Sequence, residues 1–212
     1  MKKEEIATVK TVKKEVLHIE FVNLVFVVIL SIPTILMLLK LKMLKAIGYF
    51  IFTIGCVSTN IYEKIVEQRL PKNLKFSMNL EILLHSFFGQ FLDFYERFSF
   101  WDKLLHFYGS LVVTLFFFYT LSKRSKFWDK QPRAILLAFL LGVFSGVLWE
   151  LAEFITDKLF SYNTQRGLDD TMYDLIANCF GAYLASKILY KKISGRFFWH
   201  PENKLKIGRE SS

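Results

Sequence analysis

The stretch AILLAFLLGVFSGVLWELAEFIT, residues 134–156, is apolar enough to lie within a bilayer, yet it carries two carboxylates one helical turn apart. An α-helix needs roughly 20 apolar residues to cross the hydrocarbon core of a membrane. An ionised side chain that faces lipid there is costly, so it almost always faces the interior of a helix bundle. Glu150 and Glu153 are therefore expected to face partners on neighbouring helices.

The composition of the whole chain supports a membrane protein. Of its 212 residues, 53% are hydrophobic and 17% are aromatic, which is more apolar material than a soluble domain of this length needs. The net charge of +9 comes from Lys and Arg residues that cluster between the apolar runs, as they do in cytoplasmic loops. We therefore expect the lipid bilayer as a partner and no nucleic acid, and the oligomeric state stays open.

Apolar segments of spanning length recur along the chain and predict an all-α, polytopic transmembrane helix bundle. We predict six spans, the third of which contains the most polar residues: 21–39, 44–62, 80–98, 103–122, 134–156 and 171–190. A polar N-terminal arm, 1–20, precedes the transmembrane bundle, 21–193, and a polar cytoplasmic tail, 194–212, follows it. Gly142 and Gly146, four residues apart, and Gly181 predict close packing between these helices.

The distribution of Lys and Arg predicts the orientation of the bundle. With six spans and both termini cytoplasmic, the inner segments carry roughly three times as many basic residues as the outer ones. If 80–98 does not cross, the split becomes nearly even. The positive-inside rule therefore favours six crossings, with both termini on the cytoplasmic side of a bacterial cytoplasmic membrane.

This topology brings polar residues of three spans to one depth in the outer leaflet. The fourth span begins there, the sixth begins there, and Glu150 lies about 24 Å along the fifth. On each helix the polar residues recur at steps of three or four, which places them on one face. They are Asp102 and His106; Glu150, Glu153 and Asp157; and Asp170, Asp174 and Asn178. The sequence therefore predicts a shared polar pocket.

Carboxylates with an imidazole suit a divalent cation such as Mg, Mn, Zn or Fe. The candidate metal ligands are Asp102, His106, Glu150, Glu153, Asp170 and Asp174. The candidate catalytic residues, for acid–base work, are Glu150, Glu153, His106 and Asp174. Arg166, in the outer loop before the sixth span, and Asn178 are candidate substrate-binding residues.

Plainer structural roles remain open for most of these residues. Asp102 and Asp170 could cap helices. Asp157 could be solvated at the water interface, and Arg166 could be an ordinary loop cation. The remaining candidates could bond to neighbouring helices, although two acids one turn apart are a costly way to hold helices together.

Three elements resemble those of known families: WDKLLHF at 101–107, WELAEF at 149–154 and TQRGLDDTMYDLIANCFGA at 164–182. They resemble a family of bacterial membrane-spanning proteins of the YjdF type, which has Asp-x-x-x-His-Phe, Glu-x-x-Glu and Gln-Gly-Asp-x-x-Asp-Thr-x-x-Asp-Met elements. The shorter elements are also similar to the VanZ-like family. The chain has Asp-Leu at 174–175 and Arg166, which lean toward the VanZ-like pattern. That resemblance implies a link to cell-envelope glycopeptide resistance.

Three functions fit these observations. The first is an enzyme with a metal-assisted site that acts on a lipid or lipid-linked envelope substrate. The second is a non-catalytic binder or transporter of a cation or an anionic headgroup. The third is a structural membrane subunit, in which replacing Glu150 and Glu153 by Gln changes only stability.

Overall fold

The computed structural model describes residues 2–122, 131–162 and 164–197, and this part of the chain is helical and contains no strand. The α-helices are α1 (Lys2–Leu39), α2 (Met43–Ile65), α3 (Lys72–Leu83), α4 (Phe94–Arg97), α5 (Trp101–Ser122), α6 (Gln131–Phe160) and α7 (Leu168–Phe197). A π-helical segment, Leu84–Phe91, continues α3. The all-α prediction is confirmed. Most of the predicted tail, residues 198–212, lies outside the described residues.

Four helices of the described chain are long and apolar enough to cross a membrane, by length and composition. They are Phe21–Leu39, Met43–Ile65, Trp101–Ser122 and Pro132–Phe160, and they contain the first, second, fourth and fifth predicted spans. The sixth predicted span lies inside α7, whose first turn holds Asp169 and Asp170. These features are those of a helical membrane protein with several apolar helices.

The third predicted span, 80–98, differs from the structure. The helical segment begins earlier, after Pro71, and runs through α3 and the π-helical segment to Phe91. Asp93 then adopts a left-handed conformation with φ 56°, and only the short α4 follows. The apolar pattern placed this segment too late because Lys75 and Asn79, which look like loop residues, are buried in the structure.

Side-chain contacts of His85 hold the π-helical segment. The His85 Nδ1 atom lies 2.5 Å from the Tyr95 hydroxyl, and its Nε2 atom lies 3.1 Å from Gln90 Nε2. The Tyr95 ring packs directly on Gly89, where a side chain would overlap it. The wider turn of a π-helix aims these residues differently from an α-helix, which explains why an α-helical pattern did not predict them.

The chain divides into two compact units, residues 1–105 and 106–212, with the boundary inside α5. In the first unit, α1, α2 and α3 pack around Phe26, Leu30 and Cys56. Beside this apolar core, Asn79 Nδ2 donates a 2.9 Å hydrogen bond to Asn23 Oδ1. Polar contacts between helices thus accompany apolar packing within this unit.

In the second unit, α5, α6 and α7 approach closely at glycines. A methyl group at Gly142 would overlap the Thr114 hydroxyl, and one at Gly146 would overlap the Asn178 amide. A methyl group at Gly181 would overlap the backbone carbonyl of Phe107. The predicted close packing at these glycines is confirmed, and it brings the polar faces of the three helices together.

Candidate functional site

His106, Glu150 and Asp174 meet inside the second unit, and we call these three residues the polar triad. The His106 Nε2 atom lies 3.2 Å from Glu150 Oε1 and 3.9 Å from Asp174 Oδ1. The three side chains are 5%, 6% and 2% exposed, so all three are buried. Each comes from a different helix: α5, α6 and α7 respectively. The triad therefore holds one imidazole and two carboxylates in a buried environment.

The direction of the helices explains why these residues meet. His106 lies five residues after the start of α5, Asp174 six residues after the start of α7, and Glu150 ten residues before the end of α6. At 1.5 Å per residue, these positions lie about 8, 9 and 15 Å from the helix ends. An alternating up-and-down course of the chain then brings the start of α5, the end of α6 and the start of α7 to one level.

One turn deeper, a second polar layer lies below the triad. Ser110 follows His106 by four residues, Asn178 follows Asp174 by four, and Gly146 precedes Glu150 by four. Ser110 Oγ donates a 2.8 Å hydrogen bond to Asn178 Oδ1, and both residues are buried. The amide of Asn178 also packs on Gly146. Asn178 thus lies between α5 and α6, a position that suits helix packing.

Asp102 belongs to the same helix face as His106, one turn earlier on α5. It is buried, at 5% exposure, and the two residues offer ligand atoms that lie within 4.8 Å of one another. Lys103 Nζ donates a 3.5 Å hydrogen bond to Asp102 Oδ2. Helix α5 therefore presents a carboxylate and an imidazole together.

Glu153 does not share the surroundings of Glu150. Its Oε1 accepts a 2.9 Å hydrogen bond from the indole Nε1 of Trp149, and the residue is only half-buried. Three residues correspond to 300° around a helix, so the two carboxylates diverge by about 60°. The spacing of three residues predicted a shared face, but Glu150 is buried and Glu153 lies at the helix surface.

Asp170 and Arg166 lie nearer the surface than the triad. Asp170 is half-buried in the first turn of α7, one turn before Asp174, and Arg166 is exposed in the connection before that helix. Their positions place them toward the end of the bundle from which α7 begins.

The connection between α6 and α7 is tied back to Asp157. Asp157 Oδ1 accepts hydrogen bonds from the backbone N–H of Thr164 (2.9 Å) and from its hydroxyl (2.6 Å). Asp157 Oδ2 accepts one from the backbone N–H of Gln165 (2.9 Å). The Gln165 side chain in turn donates to Thr171 Oγ1, 3.0 Å away, on α7. We call Asp157, Thr164, Gln165 and Thr171 the clasp. The sequence left open whether Asp157 is simply solvated, and it did not predict these contacts.

Residues 21–194 match the profile of a family that is described as predicted membrane protein (DUF2238). The chain belongs to this family. An uncharacterized protein of Thermotoga maritima is 54% identical over 185 residues, which cover 87% of this chain and 96% of the relative. No solved structure matches the chain.

Membership in the DUF2238 family confirms the coarser part of the predicted resemblance, which is a family of membrane proteins. The matched range contains the polar triad, Asp102 and the clasp. Chemically, the triad offers proton acceptors and hard metal ligands within one buried cluster, which permits either acid–base chemistry or cation binding.

Proposed function

We propose that this DUF2238 protein binds one divalent transition-metal ion at the polar triad and hydrolyses a lipid or lipid-linked envelope substrate there. The observation that carries the proposal is the position of the His106 imidazole, 3.2 Å from one buried carboxylate and 3.9 Å from another. Two ligands of a metal with bonds of 2.0–2.2 Å lie about 3–3.6 Å apart in tetrahedral geometry. His106 and Asp174, whose donor atoms lie 3.9 Å apart, are therefore spaced nearly as two metal ligands are.

Electrostatics favours a divalent ion over an ion pair. Two ionised carboxylates with one protonated imidazole leave a net negative charge in a buried site, and uncompensated buried charge is costly. A divalent cation with a neutral imidazole balances the charges of Glu150 and Asp174, while the carboxylate of Asp102 has Lys103 Nζ 3.5 Å away. A mixed set of imidazole nitrogen and carboxylate oxygens suits Zn, Mn or Fe better than Mg or Ca.

The residues divide into ligands and a base. His106 and Asp174 would hold the ion, with Asp102 supplied from the preceding turn of α5. Glu150 faces the same imidazole nitrogen and would accept the proton of the attacking water. The ion, when bound, would supply Lewis acidity to the water and to the substrate oxygen. Glu153 lies outside this set because its carboxylate bonds to Trp149.

The proposed substrate follows from the proposed topology. We propose six crossings with cytoplasmic termini, the third formed by the helical segment from Lys72 to Phe91 and the sixth by α7. The triad then lies in the outer leaflet of the cytoplasmic membrane, about 8–9 Å from the ends of α5 and α7. The hydrocarbon core is about 30 Å thick, so this depth lies just below the headgroups of lipids and lipid-linked precursors. The VanZ-like elements also support a substrate of the cell envelope.

Elemental analysis of the purified protein tests the metal, and turnover in proteoliposomes tests the chemistry. The probe for turnover is a phosphate-labelled bacterial lipid extract, from which released water-soluble product is counted. We expect about one metal ion per chain in the wild type, its loss in Asp174→Asn and His106→Ala, and its retention without turnover in Glu150→Gln. Glu153→Gln is the matched control, an acid on the same helix, and should keep both metal and turnover.

The alternatives appear as distinct results. If the wild type turns over no lipid but binds stoichiometric metal, and Glu150→Gln keeps that metal, the protein is a cation binder and not an enzyme. A wild type without metal, in which Glu150→Gln and Asp174→Asn change only the melting temperature, would make the triad a structural contact between helices.

A further inference from the structure

The clasp joins the helix of Glu150 to the helix of Asp174 at the end of the bundle nearest the triad. From Glu150, α6 leads seven residues on to Asp157, and from Asp174, α7 leads three residues back to Thr171. Between them, the carboxylate of Asp157 holds the backbone of Gln165, and the side chain of Gln165 holds Thr171. A continuous series of bonded groups thus links the two acids outside the triad.

The clasp lies close to the helix faces that carry the triad. Residues seven apart share a helix face, whereas residues three apart diverge by about 60°. Asp157 therefore extends the face of α6 that carries Glu150, and Thr171 lies beside the face of α7 that carries Asp174. A shift of α7 along α6 would have to break hydrogen bonds of the clasp before it could separate the two acids.

The connection between α6 and α7 also has an unusual backbone conformation near both of its ends. Ser161, the residue after α6, adopts the left-handed region at φ 53° and donates its N–H to the Asp157 carbonyl (3.0 Å). Gly167, at φ 115°, adopts a conformation that L side chains rarely take and precedes the first turn of α7. Residues with positive φ thus lie at both ends of the connection, and between them the Asp157 carboxylate accepts three hydrogen bonds, from Thr164 and Gln165.

We infer that Asp157 is a positioning residue of the proposed metal site, an inference that rests on the proposed function. Its carboxylate sets the register between α6 and α7, and this register sets the distance between Glu150 and Asp174. Groups that orient metal ligands from outside the coordination sphere typically contribute 10- to 100-fold to metal affinity. Asp157 acts two helical turns from the triad and touches neither the metal nor the substrate.

Cobalt binding tests the inference, because Co²⁺ reports ligand geometry through its visible spectrum. We compare wild type, Asp157→Ala, Asp157→Asn and Thr171→Val in detergent, with Co²⁺ affinity measured by chelator competition. Asp157→Ala removes all three accepted bonds and should weaken Co²⁺ binding roughly 10- to 100-fold with an altered spectrum. Asp157→Asn keeps one carbonyl oxygen and Thr171→Val removes one bond, so both should fall between it and the wild type.

Asp169→Ala is the control, since Asp169 is an exposed acid near the clasp that contributes no bond to it. It should leave Co²⁺ affinity and spectrum unchanged. Clasp variants that melt earlier but bind Co²⁺ with wild-type affinity and spectrum would overturn the positioning role and leave the metal site standing. A wild type that binds no Co²⁺ would instead overturn the proposed function. If Asp157→Ala does not fold, Thr171→Val and Asp157→Asn decide between these outcomes.

Discussion

The Ser110 hydroxyl donates a 2.8 Å hydrogen bond to the Asn178 side chain, one turn below the level at which His106 faces Asp174. The same pair of helices, α5 and α7, therefore meets at two levels, through a hydrogen bond between neutral groups and through ionisable groups 3.9 Å apart. The neutral bond offers a way to separate helix packing from the chemistry of the triad.

Ser110→Ala should destabilise the second unit by about 0.6–1.7 kcal/mol, the range for a hydrogen bond between membrane helices. The cost arises because Asn178 loses its partner in a buried place. Thermal unfolding in detergent measures the change. Ser145→Ala is the control, because Ser145 Oγ donates to the Leu141 carbonyl of its own helix, and it should stay within about 0.5 kcal/mol of the wild type. Equal effects of both substitutions would contradict the bond between helices.

Gly181→Ala should destabilise the protein by about 1–3 kcal/mol, the usual cost of overpacking, or more. The added methyl group would overlap the Phe107 carbonyl, and backbone cannot move aside as a flexible side chain can. Gly48→Ala on α2 is the matched control, since nothing lies within 4 Å of a methyl group there. Because alanine favours helix over glycine, it should be neutral or stabilising by up to about 1 kcal/mol. Unfolding of the two variants in parallel decides the comparison.

Lys75→Met should cost about 3–5 kcal/mol, because it leaves the Glu63 carboxylate without its buried partner, which lies 2.9 Å away. The pair is 7% and 21% exposed, so water screens it only in part. Adding Glu63→Gln should recover much of the loss, since an amide oxygen can still accept the 2.9 Å hydrogen bond from the Leu70 backbone. A double variant no more stable than Lys75→Met alone would show that the charge pair is not the cause.

Cysteine labelling checks the proposed topology. In a background without Cys56 and Cys179, a membrane-impermeant maleimide should label Asp169→Cys in intact cells and Lys64→Cys only after permeabilisation. Both residues are exposed: Asp169 lies in the first turn of α7, and Lys64 lies in the last turn of α2. Lys64 follows the second predicted crossing, and the positive-inside rule predicts that the segment after this crossing is cytoplasmic. Labelling of both sites in intact cells would rule out the six-crossing arrangement.

Much of the helix arrangement could be predicted because lipid imposes long, apolar segments. Four of the six predicted segments coincide with helices of spanning length and composition. The third was displaced because its polar residues are paired within the fold: Lys75 with Glu63, and Asn79 with Asn23. A hydropathy pattern cannot tell a polar residue in a loop from one that is bonded inside a bundle.

The spacing of polar residues selected Glu150, His106 and Asp174 but overstated the similarity of Glu150 and Glu153. Ser110 follows His106 by four residues, and Asn178 follows Asp174 by four. The same spacing rule could therefore have predicted the second polar layer. The clasp was not, because it depends on the backbone conformation of the connection and on Ser161 in the left-handed region. Such conformations follow from tertiary contacts rather than from residue spacing.

The glycine contacts have a consequence for motion within the second unit. At Gly142 and Gly146, α6 meets side chains of its neighbours without any intervening atom, and Gly181 seats its helix against the backbone at Phe107. Contacts this close leave the three helices little freedom to slide past one another. We therefore expect α5, α6 and α7 to move as one rigid block rather than as independent helices.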